Sequence, residues 1–339
     1  MSVFLKFFLS IFVFIFISNS LYSKNVKNSA VILMYHKFDN SKFPTTNVTL
    51  KQFESHIEEF SKPKYNVLPV KYILETILND GELPENTIGI TVDDADKSFI
   101  NVAWPKFKDK GFPVTLFIST SYISPKNNKY LNWNEVRMLI DEGVDIGAHS
   151  HTHPHLPDLS LEEIKDEFEK SNKIFLKEIG FVPDIMAFPY GEASKEIFEI
   201  ANKYNFKFAF GQRSGVINET SNFNYLPRFA INEKYGDIER VKFISKNKGL
   251  GVYDFVPVSP YIEDNPPYIG FSLLDLKLSN NINCFVFDSN GEVKSEMFKF
   301  NERIEIRLSR KLSKGRTRIN CTVKDQKNNW RWFGHQLYL

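Results

Sequence analysis

Through the first two thirds of the chain, apolar residues gather in short β-branched runs, and between these runs they recur with helical spacing. The runs at residues 31–35, 88–92, 114–118, 144–148, 185–188 and 208–210 read as buried strands. The stretches 52–61, 72–78, 99–110, 134–141, 161–179 and 195–204 carry apolar positions every three to four residues and read as helices. Alternation of this kind predicts a parallel sheet, in the form of a barrel. Past residue 244 the pattern changes: Gly249, Gly251, Pro257, Pro260, Pro266 and Pro267 punctuate the chain, and no long helical period returns. Short alternating runs at 282–288, 303–308 and 317–323, with a Ser289-Asn290-Gly291 turn, predict a small all-β sandwich. The expected division is a catalytic domain over 24–248 and an accessory domain over 249–339.

Two strand ends carry the candidate chemistry. The run 87–92 closes on the adjacent carboxylates Asp93 and Asp94, and the strand 144–148 runs into His149-Ser150-His151-Thr152-His153-Pro154-His155, which holds four of the seven histidines. Carboxyl ends of strands are the functional edge of α/β proteins. Neighbouring residues in a regular strand face opposite ways, so both carboxylates serve one site only if the backbone turns at 93–94. The competing structural reading makes the pair an N-cap for a helix over 95–110. Imidazole and carboxylate are ligands of a borderline cation such as zinc, and a catalytic site keeps three protein ligands and an open position for water. Pairs four apart, His149 with His153 and His151 with His155, are the candidate ligand spacings.

Composition alters this picture little. A chain of 339 residues with 42% hydrophobic and 25% charged residues has room for two globular domains. The net charge of +2, or +1 without Lys6, implies no strong attraction to nucleic acid or a polyanion, and suits an uncharged polymer. Residues 7–17 are apolar apart from Ser10 and are followed by the small, polar stretch 18–23. This predicts a cleaved signal peptide over 1–23, export to the periplasm or outside the cell, and no stable membrane span. In the sandwich, Cys284 and Cys321 both point inward, on what are expected to be facing sheets, as a disulfide or as two buried thiols. The aromatic tail Trp330-Arg331-Trp332-Phe333-Gly334-His335 admits either core packing or sugar stacking.

Thr91-Val92-Asp93-Asp94 resembles the Thr-Phe-Asp-Asp motif of the NodB-like polysaccharide deacetylases, carbohydrate esterase family four. His149-Ser150-x-x-His153 resembles that family's His-Ser/Thr-x-x-His motif. Trp104-Pro105-Lys106-Phe107, the run from Gly111 to Ile118 and Leu131-Asn132-Trp133 follow in the family's order, so the likeness runs from about residue 30 to 231. It implies an irregular β/α barrel of about seven strands. It also implies Asp93 as general base, with Asp94, His149 and His153 as ligands of a divalent cation, zinc first. His151 and His155 become loop or substrate-contact residues, and Trp133 a substrate contact. Phe188-Pro189-Tyr190-Gly191 resembles the motif whose tyrosine N–H faces the oxyanion of the tetrahedral intermediate.

Two positions depart from the family pattern. Ala187 stands where relatives carry the arginine that orients the catalytic Asp, which leaves Arg228 as the basic candidate. The late Leu-x-His motif that supplies the acid is missing. Val31-Ile32-Leu33-Met34-Tyr35-His36 instead resembles the Met-Tyr-His signature of the branch acting on poly-N-acetylglucosamine, in which the early histidine is the acid. The expected activity is metal-dependent removal of N-acetyl groups from an N-acetylhexosamine polysaccharide or glycan. An O-acetyl or lipid-linked glycan substrate, and a non-catalytic glycan-binding protein with a degenerate site, are the alternatives.

Overall fold

All six runs read as strands form, and they pair in parallel. The structure is a computed structural model describing residues 26–124, 126 and 128–339; the expected signal peptide lies outside the described residues. The barrel strands are β1 (Ala30–Tyr35), β2 (Thr87–Val92), β3 (Thr115–Ile118), β4 (Asp145–Ala148), β5 (Ile185–Ala187) and β6 (Phe208–Phe210), with a short β7 (Phe229–Ala230). They follow the order β7-β1-β2-β3-β4-β5-β6, and Asn66–Val67 adds a short pairing beside β2. Residues of β1, β2 and β3 are buried throughout. Strands covered on both faces need apolar residues at every position, which is why they appear as unbroken runs.

The two ends of this sheet approach each other through one segment: Leu226 bridges to Phe210, and β7 pairs with Leu33 and Met34 of β1. The curl matches the expected barrel of about seven strands. It also sets the carboxyl ends of β1, β2, β4 and β5 on a common rim.

Seven helices are described: α1 (Leu50–Phe60), α2 (Val70–Leu78), α3 (Trp104–Asp109), α4 (Trp133–Asp141), α5 (Leu161–Ile179), α6 (Lys195–Lys203) and α7 (Ile238–Ile244). Capping boxes at Thr49, Asn132 and Ser160 start α1, α4 and α5, and Gly180, left-handed at φ 81°, stops α5. The helix expected over 99–110 is broken instead into a π-helical turn (Phe99–Ala103) and α3. Pro105, within the first turn of α3, has no N–H to give to the preceding turn, so a regular helix cannot run through it.

The C-terminal strands are β8 (Lys248–Gly249), β9 (Val252–Val256), β10 (Ile269–Leu273), β11 (Asn283–Asp288), β12 (Gly291–Val293), β13 (Ser295–Phe300), β14 (Arg303–Leu308), β15 (Arg316–Lys324) and β16 (Trp330–Tyr338). They make two sheets, β8-β16-β15-β11-β12 and β9-β10-β14-β13, which enclose Phe271, Val286, Ile304, Ile319 and Leu337. Cys284 and Cys321 form a disulfide. They are not on facing sheets as expected: they sit directly opposite each other on β11 and β15 of one sheet. Inward orientation was readable from alternation; the strand pairing was not.

The aromatic tail is mostly packed, with Trp330 left 37% exposed. Trp332 meets Phe229 of the barrel at 5.2 Å, Phe333 lies against Phe255 and Phe271 at 5.5 and 5.7 Å, and His335 is buried against Phe255 at 4.0 Å. A Cβ at Gly334 would stand 1.7 Å from the Ser214 carbonyl, so only glycine lets β16 lie this close to the barrel. Among the described residues no helix is long and apolar enough to cross a membrane.

Candidate active site

The chain turns sharply where β2 ends. Asp93 continues the ladder, its N–H donating to the Tyr35 carbonyl at 2.9 Å, and then Asp94 and Ala95 adopt left-handed backbone at φ 74° and 56°. Non-glycine residues are seldom held there without tertiary support. The turn brings both carboxylates to one site, and the cap role falls to Asp96, which accepts from the Ser98 N–H at 3.0 Å.

Asp93 is fully buried and held by two prongs. Arg228 donates from Nη1 to Oδ1 at 2.7 Å and from Nη2 to Oδ2 at 2.9 Å. The guanidinium is itself buried, donating to Thr91 Oγ1 and the Gly211 carbonyl and lying beside the rings of Phe117 and Phe210, 5.3 and 5.4 Å from their centres. Ala187 shares that apolar cluster with the two rings. Burial alone would raise the Asp93 pKa, but Arg228, His149 and His36 outweigh it and hold it at about 2. His36, at the end of β1, places Nε2 3.8 Å from Asp93 Oδ2. Its own pKa is lowered by burial, against the pull of Asp93 and Asp94.

Asp94, His149 and His153 form a group whose ligand atoms all lie within 4.8 Å of one another. Asp94 Oδ1 is 3.7 Å from His149 Nε2 and 3.5 Å from His153 Nε2. A tetrahedral ion with ligands at about 2.0–2.2 Å spaces its donors roughly 3.3–3.6 Å apart, so these three fit with little adjustment. His149 Nδ1 lies 2.7 Å from the Ala187 carbonyl, which fixes Nδ1 as the protonated nitrogen; the buried Nε2 is left without a partner, facing the carboxylate. Burial, then the neighbouring His149, brings the His153 pKa down to about 4, which keeps that imidazole neutral and able to ligate.

The histidine loop is braced from outside. Glu167 of α5 accepts from the N–H groups of His151 and Thr152 at 3.0 and 2.8 Å, and Ser119 donates to the His149 carbonyl at 2.7 Å. Ser150 and His153 are left-handed, at φ 63° and 60°. His151 pairs with Thr120 Oγ1 at 2.8 Å, on the outer side of the loop.

Tyr190 sits in the turn Pro189–Gly191 after β5, with φ 56°. N–H groups at the start of a helical turn have no partner inside it, so this one is available to a ligand. The Tyr190 ring meets His153 edge-on at 4.6 Å and stacks on His155 at 3.9 Å. His155 in turn pairs with the buried Glu192 at 2.6 Å. The structure thus gathers His36, Asp93, Asp94, His149, His153, His155, Tyr190 and Arg228. It does not bring in Trp133, whose ring packs edge-on against Phe175 of α5 at 6.0 Å; no contact joins it to the ligand group among the described residues.

Several neighbours escaped the sequence reading. Lys37 Nζ lies 3.6 Å from Asp94 Oδ2, and Tyr122 stacks on Tyr130 at 4.6 Å and on His153 at 5.9 Å. Arg316, from the sandwich, donates to the Tyr190 carbonyl at 2.6 Å, while Tyr225 and Gln336 donate to the Gly191 carbonyl at 2.6 and 3.2 Å. Lys37 directly follows His36 and Glu192 lies two past Tyr190, the one signal that could have marked them.

Residues 80–209 match the family profile for polysaccharide deacetylase. A poly-beta-1,6-N-acetyl-D-glucosamine N-deacetylase of Staphylococcus aureus (strain MSSA476) is 25% identical over 236 residues, covering 62% of this chain and 81% of the relative. Among solved structures, the Streptococcus pyogenes deacetylase PplD in complex with acetate aligns with a TM-score of 0.59 at 19% identity, over 64% of this chain and 97% of that one. IcaB from Ammonifex degensii aligns with a TM-score of 0.58 at 16% identity, over 65% and 97%. At these identities the structural likeness is one of fold. The profile match, however, spans both the Asp93-Asp94 strand end and the histidine loop, the two places where this fold gathers its ligand side chains. The chain therefore carries a polysaccharide deacetylase domain, of the kind found in carbohydrate esterase family four.

Proposed function

We propose that the protein removes N-acetyl groups from a poly-N-acetylglucosamine-type polysaccharide, releasing acetate. The observation that carries this reading is a buried, arginine-held carboxylate beside a three-ligand cation site, with an imidazole 3.8 Å away. A divalent cation, zinc first, fits the donors of Asp94, His149 and His153, and when bound supplies Lewis acidity and a water of lowered pKa. A carboxylate held at about 2 is a feeble base toward ordinary water, and a cation held by Asp94, His149 and His153 would supply a more acidic one.

Asp93 takes a proton from water as the water oxygen bonds to the acetyl carbon. The Tyr190 N–H faces the oxygen that becomes negative, a contribution of roughly 3–4 kcal/mol for a donor of this kind. The C–N bond then breaks with its electron pair passing to nitrogen, which takes a proton from His36. Burial keeps the resting His36 neutral, and Asp93, within 3.8 Å, returns the proton it needs during turnover. Arg228 holds Asp93 in place in the role left open by Ala187. Residues 24–248 form the catalytic domain and 249–339 an accessory domain, and the mature protein acts outside the cytoplasm.

The test uses protein beginning at Lys24, loaded with zinc and incubated with β-1,6- and β-1,4-linked N-acetylglucosamine oligomers. Acetyl loss is read by mass spectrometry against Asp93→Asn. Loss from the 1,6-linked series, absent in the variant, is the expected result. No loss from either series, in protein shown to hold metal, overturns the reading and turns attention to O-acetyl or lipid-linked glycans.

A further inference from the structure

A groove of about 1080 Å³ runs away from the site, with His36 and Arg228 lining one wall and Phe287, Arg318, Asn320 and Trp332 of the sandwich lining the other. This exceeds the usual pocket for one small molecule. The sandwich wall is the outer face of the β15–β11 pair. Val286 points into the sandwich, so its neighbours Phe285 and Phe287 point out, 44% and 40% exposed. In register with them stand Asn320 and Arg318. Asn320 Oδ1 accepts from Trp332 Nε1 at 3.0 Å; among the described residues its NH2 has no hydrogen-bond partner and Arg318 makes no ion pair.

We infer that this face binds sugar rings of the polysaccharide beyond the one being deacetylated, so that the sandwich forms the distal wall of the substrate groove. The inference rests on the proposed function and names where its polymer lies. A hexosamine ring has a flat C–H surface and a rim of hydroxyl and carbonyl acceptors. Exposed phenyl rings match the first, and unpaired amide and guanidinium donors match the second. The occupant follows from continuity, because the groove reaches the site at His36 and Arg228. Charge narrows it further: Lys234, Arg240, Arg316 and Arg318 outnumber Glu233 and Asp288, and Asp288 is already paired with Arg310. Such a wall accepts uncharged, acetylated rings and repels ammonium-bearing ones.

The decisive quantity is the ratio of kcat/KM on a long β-1,6-linked N-acetylglucosamine oligomer to that on the disaccharide, in the zinc-loaded chain. The wild type should favour the long oligomer. Phe287→Ala should cut the ratio about tenfold, as expected for one lost ring contact. Phe287→Tyr should retain it, and so should Phe300→Ala, which removes an exposed ring from the other sheet. A wild type without length preference, or Phe287→Ala with an unchanged ratio, overturns the inference while leaving the deacetylase reading intact. If no acetate is released, calorimetric binding of the same oligomers decides. Length-dependent binding lost in Phe287→Ala upholds the groove though the reaction fails, and no binding overturns both.

Discussion

Replacing Arg228 by methionine keeps the length and much of the bulk of the side chain but removes, among the described residues, the only cation in hydrogen-bond contact with Asp93. Both groups are fully buried, and breaking such a pair from one side costs about 3–5 kcal/mol, because the other charge is left unpaired in a low-dielectric site. For a domain of this size that is a fall of roughly 10 °C in Tm. Asp93 has an escape, which is to protonate. Without the guanidinium, burial prevails and its pKa rises. The acid limb of kcat/KM should therefore move to higher pH, and acetate release should fall about a hundredfold or more with loss of the base.

Loss of packing alone would also lower Tm, so the coupling between the two residues carries the test. Asp93→Asn with Arg228→Met should be less destabilised than the sum of the single variants by about 2 kcal/mol, measured by urea unfolding. Arg228→Lys, which keeps the charge but offers no fork, should fall between wild type and Arg228→Met. If Arg228→Met unfolds within about 1 kcal/mol of wild type and its pH profile is unmoved, Arg228 does not position the base.

Arg316→Ala removes one of the donors that fix the Tyr190 turn, and should lower kcat about tenfold with KM and metal content unchanged; an unchanged kcat would separate the sandwich from catalysis. Chelation should abolish acetate release, zinc should restore it, and Asp94→Asn should bind zinc measurably more weakly by calorimetry. His56 is buried and neutral, accepting from Tyr35 Oη at Nδ1 and donating from Nε2 to the Gly236 carbonyl, and burial lowers its pKa from 6.5 to about 4. The unfolded chain binds this proton first, so stability is intact above pH 6.5 and falls as pH drops toward 4, by up to about 3 kcal/mol. His56→Gln should flatten that slope in urea unfolding at pH 7 and 5. Reduction of Cys284–Cys321, which spans 37 residues, should destabilise the sandwich by up to about 4 kcal/mol, read as a lower denaturation midpoint in reductant.

The strand ends were legible because burial on both faces leaves unbroken apolar runs, and the polar residues that close them stand out. Asp93, Asp94, His149 and His153 are short-range patterns of this kind. Arg228 is not: it lies 135 residues from its carboxylate, and only the pairing of β7 with β1, next to β2, brings the two together. Trp133 stands apart from the ligand group for the opposite reason. Its motif position was readable, but the side chain follows the first turn of α4 and packs against α5. Arg316 and Phe287 were hidden because alternation reports which face of a strand is inward, and says nothing of what stands opposite the outward one.

The two departures from the family pattern converge on one edge of the site. Ala187 of β5 withdraws a guanidinium from the side nearest the histidine loop, and Arg228 returns one from the segment entering β7. His36, the acid we propose, directly follows β1, the strand paired with β7. Arg228 and His36 are also the barrel residues that line the groove walled by the sandwich. Ala187 shares the apolar cluster of Phe117 and Phe210 beside which the Arg228 guanidinium lies, so a second arginine at 187 would set two buried cations against one carboxylate. The unusual residues are therefore consistent with a relocated set rather than a decayed one: the candidate cation ligands lie at the end of β2 and in the loop after β4, while the groups proposed to steer the base, deliver the proton and meet the polymer line the groove that the sandwich closes.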